Sequence, residues 1–153
     1  MNLWIITLML LEFIVGVLLF PPCVLVMKAA AQWPVGRTTR WMIWLYGKVW
    51  IAIISPFVRL HKENLVREAF PEYGIMVINH FSFFDTYFLG ALPVFDATIA
   101  LRAWPFRMFW YAPFMKCAEY INLEQMPLEE VEAKAREIVR EKRYMIIFPE
   151  GHR

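Results

Sequence analysis

Residues 3–27 form a nearly continuous apolar run, broken at Glu12 and at Pro21-Pro22. About 20 apolar residues carry a helix across a bilayer, so this run is long enough to do so. No basic residue precedes it, which argues against a cleavable signal peptide. A membrane anchor is therefore expected here, in preference to a buried core helix. A carboxylate at mid-span costs a few kcal/mol at the bilayer centre. Glu12 is accordingly expected to be protonated, paired or shallow.

Composition agrees with a lipid-facing surface. The chain is 59% hydrophobic and 17% aromatic, with a mean hydropathy of +0.44. That is more apolar surface than a soluble domain of 153 residues hides, so part of it must face lipid or a large apolar ligand. The length leaves room for one modest domain. A net charge of +2 is too small to point to nucleic acid as a partner. Cys23 and Cys117 lie far apart and lack metal-ligand spacing. They read as buried thiols in a reducing compartment, with no metal site.

Lys28, Arg37 and Arg40 follow the first run, and by the positive-inside tendency their loop is cytoplasmic. Residues 41–58 form a second apolar run, interrupted by Gly47, Lys48 and Ser55-Pro56 and followed by Arg59, His61 and Lys62. Positive charge on both sides suits an interfacial or re-entrant helix, with Trp41, Trp44, Tyr46 and Trp50 at headgroup depth. The polar stretch 62–73 marks the expected boundary. A membrane-anchoring helical region is expected over 1–62 and an α/β domain over 63–153.

Within the second region, short apolar strands discharge into polar groups. Residues 75–78 read as a buried strand leading into Asn79-His80-Phe81-Ser82-Phe83-Phe84-Asp85. An unbroken helix would hold His80 and Asp85 roughly 140° apart. A paired His80 and Asp85 therefore requires His80 on the loop and Asp85 on the first turn of a following helix, with Ser82 as a good N-cap. Asp85 on one ring nitrogen would leave the other free to accept a proton. Ser82-x-x-Asp85 reads equally as a capping box, in which Asp85 only satisfies the helix N-terminus.

That helix is expected to run to about Leu92, before Pro93. Strands follow at 97–101 and 120–123, separated by the aromatic segment 104–118 with Arg102, Arg107 and Lys116 nearby. The segment reads either as a helix packed on the sheet or as a membrane-facing or acyl-lining surface, with a kink at Pro113. Residues 128–143 carry Leu128, Val131, Ala135, Ile138 and Val139 at helical spacing. Glu130–Lys134 and Glu132–Arg136 fall at i,i+4 on the opposite face. A strand at 144–148 then leads into Pro149-Glu150-Gly151-His152-Arg153. The alternation of strands and helices predicts an α/β layer fold with a mixed, partly parallel sheet.

Asn79-His80-x-Ser82-x-x-Asp85 and Phe148-Pro149-Glu150-Gly151-x-Arg153, in this order and each after a strand, resemble the glycerolipid acyltransferase family, of which the lysophosphatidic acid acyltransferases are members. The resemblance spans roughly residues 74–153, and because the chain stops on the second motif it suggests a C-terminally truncated member. It implies acyl transfer from an acyl-CoA or acyl carrier protein thioester to a hydroxyl of a lysophospholipid such as lysophosphatidic acid, at a membrane; the charge pattern above places the catalytic part on the cytoplasmic face. It implies His80 as general base and Asp85 as its orienting group. Asn79, Ser82, Glu150, Gly151 and Arg153 would bind substrate, and no cofactor is needed beyond the acyl donor. Leu123 stands where the family commonly has a phosphate-binding arginine, which leaves Arg102, Arg107 or Arg153 to carry that charge. A non-catalytic membrane-anchored module, or a lipid hydrolase using the same His-Asp pair, are the alternative readings.

Overall fold

The protein is described by a computed structural model covering residues 3–59, 61, 63, 70–79 and 85–149. Helix α1 (Leu3–Ala31) takes up the whole first apolar run, prolines included. Its 29 residues give a rod of about 43 Å. None of them is buried, and the helix is long and apolar enough to cross a membrane. It ends with Gln32 in the left-handed region (φ 55°), and a short connection turns the chain back into α2 (Val35–Ile54). The two helices pack together, with Gly16 of α1 facing the Tyr46 ring of α2.

Helix α2 differs from expectation in its setting. It begins at Val35, so Arg37 and Arg40 lie in the helix and not in a loop. Gly36, Arg40, Gly47, Trp50 and Ile54 are buried at spacings of three, four and seven, the signature of a helix face against protein, and Thr38 and Thr39 are buried beside them. Trp50, expected at headgroup depth, is 4% exposed. The Trp44 indole N–H, likewise expected there, donates to the Leu92 carbonyl at 3.0 Å. The apolar residues of 41–58 thus serve a protein core as well as any bilayer.

The α/β part contains β1 (Gly74–Val77), α3 (Asp85–Phe88), β2 (Ala97–Leu101), α4 (Ala112–Cys117), β3 (Ile121–Asn122), α5 (Leu128–Arg140) and β4 (Tyr144–Ile147). The strands form one sheet in the order β1-β4-β2-β3, and every pairing is parallel among the described residues. The strand period of two divides the core between the faces. Ala97, Ile99, Tyr144, Ile146 and Phe148 cluster on one side, joined by Leu89, Leu92 and Val94. Ala100, Ile121 and Met145 gather on the other with Ile138 of α5.

Several local expectations change. The segment 104–118 is not one helix: a 3-10 turn (Trp104–Arg107) precedes α4, and Pro113 sits in the first turn of α4, where its missing N–H costs nothing. α3 is a single turn continued by a 3-10 turn at Leu89–Ala91, just ahead of Pro93. Leu128, expected on the buried face of α5, is 73% exposed. Glu132 and Arg136 do pair, at 3.3 Å, but Lys134 bonds Glu137 at 2.6 Å.

The N-terminal helices are fastened to the sheet by a buried charge. Arg40 is 3% exposed; its Nε donates to Asp96 Oδ1 at 2.7 Å, and its Nη1 donates to Glu119 Oε2 at 2.8 Å and to the Ala118 carbonyl at 3.1 Å. Glu119 is in the left-handed region (φ 61°), ending α4 in a Schellman arrangement in which Tyr120 N–H reaches Met115 O. Gly36 leaves room for the Glu119 carboxylate, since a Cβ there would lie 2.6 Å from its Cδ. Arg37 adds an ion pair to Asp96 and lies over the Trp33 ring, which stacks on Phe95.

Arg40→Met is expected to destabilise the fold by about 2–3 kcal/mol, less than a fully buried pair would cost, because the carboxylates left behind reach water. Thermal unfolding in detergent reads the loss. Burial pushes the Glu119 carboxyl up, but the hydrogen bonds and charges of Arg40 and Arg143 outweigh it and hold the pKa below the ordinary value. A depressed folded-state pKa contributes stability above the unfolded value, and the contribution disappears as pH falls through the folded value. The melting temperature should therefore decline on acidification below the ordinary glutamate range, and decline less steeply in Arg40→Met.

Candidate active site

In a parallel sheet all strands deliver their C-terminal ends to one edge. β1 and β4 are neighbours in register, with Val77 opposite Ile147, and the Ile78 N–H extends the ladder by donating to the Ile147 carbonyl at 3.0 Å. The two polar motifs, far apart in sequence, thus leave adjacent strands at the same edge. Asn79 is exposed just beyond β1. Phe148 turns into the core, and Pro149 is exposed beyond β4. His80 and Ser82 of the first motif, and Glu150, Gly151 and Arg153 of the second, lie outside the described residues.

The chain is described again from Asp85, the first residue of α3, where a carboxylate also suits the helix dipole. What sets the position of α3 is mainly α2. Trp50 stacks on Tyr87 with ring centroids 5.0 Å apart and meets Phe88 edge-on at 5.6 Å. Backbones touch where Gly47 faces Gly90: a Cβ on Gly47 would lie 2.6 Å from the Tyr87 carbonyl oxygen, and one on Gly90 would lie 2.4 Å from Gly47 C and Lys48 N. Neither glycine stood out in the sequence, where Gly47 read only as an interruption of an apolar run. The spacing of Gly47 and Trp50 on one helical face was the available signal.

Elsewhere on this edge, Arg102 follows β2 and Glu124 follows β3; Arg102 Nε donates to Glu124 Oε1 at 2.6 Å. That hydrogen bond, ahead of other causes, lowers the Glu124 pKa. Leu123, where the resemblance leads one to expect an arginine, packs against the cluster of Ala100, Ile121, Ile138 and Met145. An apolar cleft of about 90 Å³ opens between α1, α2, α3 and α4, lined by Phe13, Val17, Phe20, Met42, Tyr46 and Tyr87 among others. Tyr87 is two residues beyond Asp85. Glu12 of α1 immediately precedes Phe13 of the cleft wall. Its carboxylate oxygens are shielded from solvent and make no hydrogen bond among the described residues.

The architecture is a parallel α/β layer beneath an apolar N-terminal helix, with two polar motifs issuing from adjacent strands. A family model described as Acyltransferase matches residues 57–153, more than half of the chain. The protein belongs to the glycerolipid acyltransferase family. No curated protein and no solved structure matches the chain.

Because the glycine contact leaves no room for a methyl group, Gly90→Ala must push α3 away from α2. Overpacking of this kind costs about 1–3 kcal/mol. The expected result is a lower melting temperature together with a fall in acyl transfer larger than that caused by Ala91→Gly at the neighbouring position. Equal activity in the two variants would show that α2 does not position Asp85.

Proposed function

We propose that the protein is a membrane-associated acyltransferase that moves a fatty acyl group from a CoA or acyl carrier protein thioester to a hydroxyl of a lysophospholipid such as lysophosphatidic acid, in phospholipid biosynthesis. The observation that carries this reading is the pairing of β1 with β4, which delivers the ends of both family motifs to one edge of the sheet. The family match supports acyl transfer as the reaction. Helix α1 supports a membrane location, with the catalytic part on the cytoplasmic face by the charge of Lys28 and its neighbours.

In this mechanism His80 takes the proton from the acceptor hydroxyl as its oxygen attacks the thioester carbonyl carbon. Asp85 orients the imidazole and stabilises the imidazolium. The tetrahedral intermediate collapses with cleavage of the C–S bond, and the departing thiolate takes the proton back from His80. Backbone N–H groups after Phe81 would be the candidates, by their position in the motif, to hold the oxyanion. Arg153 would hold the acceptor phosphate as a fork of donors, with Gly151 allowing close backbone approach and Asn79, Ser82 and Glu150 completing the substrate site. The cleft lined by Tyr87 and Met42 would receive part of the acyl chain. Leu123 favours either of two variations: an acceptor phosphate held without the family arginine, or an acceptor that carries none.

Transfer is tested with detergent-solubilised protein, both thioester donors, and lysophosphatidic acid, glycerol 3-phosphate and a phosphate-free lysolipid as acceptors. His80→Ala is expected to reduce transfer by about 10²–10⁴-fold without affecting membrane association. Asp85→Asn should act in the same direction. Free fatty acid appearing without acylated lipid would identify a hydrolase, and no turnover with any pair would favour a non-catalytic module. Met42→Trp, which fills the cleft, should shift donor preference toward shorter acyl chains; an unchanged chain-length profile would remove the cleft from the acyl path.

A further inference from the structure

The segment between β2 and the end of α4 carries more exposed aromatic surface than its place in a layered fold requires. Phe109 is 82% exposed, and Trp104 and Trp110 are each about half exposed. Phe109 and Trp110 pack edge to face at 4.7 Å, presenting one bulky wedge. The segment leaves β2 at the same sheet edge as the Asn79 loop, because every strand is parallel. Its charge is one-sided. Residues 97–118 contain Arg102, Arg107 and Lys116 and no carboxylate. Arg102 is engaged by Glu124, while Arg107 and Lys116 are exposed.

The wedge is also continuous with α1. Immediately after it, Phe114 of α4 meets Phe20 of α1 edge-on at 5.2 Å. Tyr111, Phe114 and Met115 form the wall of the cleft facing Phe13, Gly16 and Val17. The helix that follows the wedge is thus packed directly on α1. Aromatic rings with basic neighbours are the composition that settles at the headgroup level of an anionic leaflet.

We infer that Phe109 and Trp110, flanked by Arg107 and Lys116, form a second membrane contact, which inserts into the anionic leaflet that holds α1 and brings the active-site edge down onto the lipid surface. The inference rests on the reading of α1 as membrane-embedded. It goes beyond the proposed reaction by naming the surface through which a lipid acceptor reaches the catalytic edge. A basic patch on an acyltransferase suits an acidic carrier protein equally well in charge. An 82% exposed phenylalanine is what favours lipid.

The experiment places an environment-sensitive nitrobenzoxadiazole label on single cysteines in a Cys23→Ala, Cys117→Ala background, reconstituted in phosphatidylcholine vesicles with or without phosphatidylglycerol. Three positions are compared: Phe109→Cys, Leu18→Cys on the exposed face of α1, and Glu129→Cys on the solvated side of α5. With phosphatidylglycerol present, labels at 109 and 18 should resist reduction by dithionite and be quenched by doxyl lipids, while the label at 129 reacts freely. Each cation near an anionic surface contributes about a fivefold preference. Arg107→Gln should therefore lower the ratio of protected to accessible label at 109 by about that factor, as should Lys116→Gln.

If position 18 is protected while 109 reacts as fast as 129, the second contact is wrong although α1 is embedded. If neither is protected, the reading of α1 fails and this inference fails with it. Equal protection at 109 in pure phosphatidylcholine overturns the anionic-lipid assignment. Protection at 109 by a soluble acidic carrier protein in detergent, with none from vesicles, overturns it in favour of a protein partner. All four results are independent of catalytic turnover.

Discussion

A guanidinium at 3% exposure survives only if its lost hydration is replaced, and around Arg40 three acceptors replace it: the carboxylates of Asp96 and Glu119 and the Ala118 carbonyl. These acceptors come from the segments just before β2 and β3, so a helix far away in sequence is tied to the N-terminal edge of the sheet. The tie is directional. Arginine's planar fork fixes the angle as well as the distance. With Gly36 cleared for Glu119 and the rings of Trp33 and Phe95 stacked beside it, α2 has little freedom to rotate or slide.

From that fixed start α2 runs along the sheet toward the opposite edge. There Gly47 meets Gly90 backbone to backbone, and Trp50 stacks on Tyr87. α3 is a single helical turn, too short to hold itself in place by its own hydrogen bonds. Its position is borrowed from α2, and with it the position of Asp85. The placement of Asp85 thus depends on a helix that in sequence reads as part of the membrane-anchoring region.

The sequence disclosed this arrangement unevenly. Strands were legible at 75–78, 97–101 and 144–148 because short apolar runs there are bounded by turn residues, and periodicity located α5; the first, expected to be buried, is instead an edge strand with Ile75 and Val77 exposed on its open face. Both polar motifs could be seen leaving strands, but strand order could not. That β1 neighbours β4 is a long-range fact, written in how two core clusters close and not in any local pattern. The burial of Arg40 and Trp50 was hidden for a different reason. An arginine after an apolar run, and tryptophans in a second one, suit a membrane interface as well as they suit a core. Only their partners, Asp96, Glu119 and Tyr87, decide between the two, and these lie about 40 to 80 residues away in sequence. The C-terminal overestimate of α5 has a local cause: Lys142 adopts φ 56° and closes the helix with Arg143 N–H on Ile138 O, a stop that needs no glycine.

The sheet separates what holds the fold from what would do chemistry. Asp96, Glu119 and Arg143 stand before β2, β3 and β4, at the N-terminal edge, whereas Asn79, Asp85 and Pro149 stand beyond the strands at the C-terminal edge. The acid-sensitive carboxylate of Glu119 therefore stands at the opposite edge of the sheet from Asn79 and Asp85, and interactions between solvated charges fade over about 8 Å at physiological ionic strength. Protonating Glu119 can reach the site only mechanically, by loosening Arg40 and letting α2 shift under Gly90. Such an effect would appear as a loss of folded, ordered protein and not as a displaced ionisation in the rate. Titration of the fold and titration of the reaction are thus expected to be separate curves, set at opposite edges of one sheet and linked by a single helix.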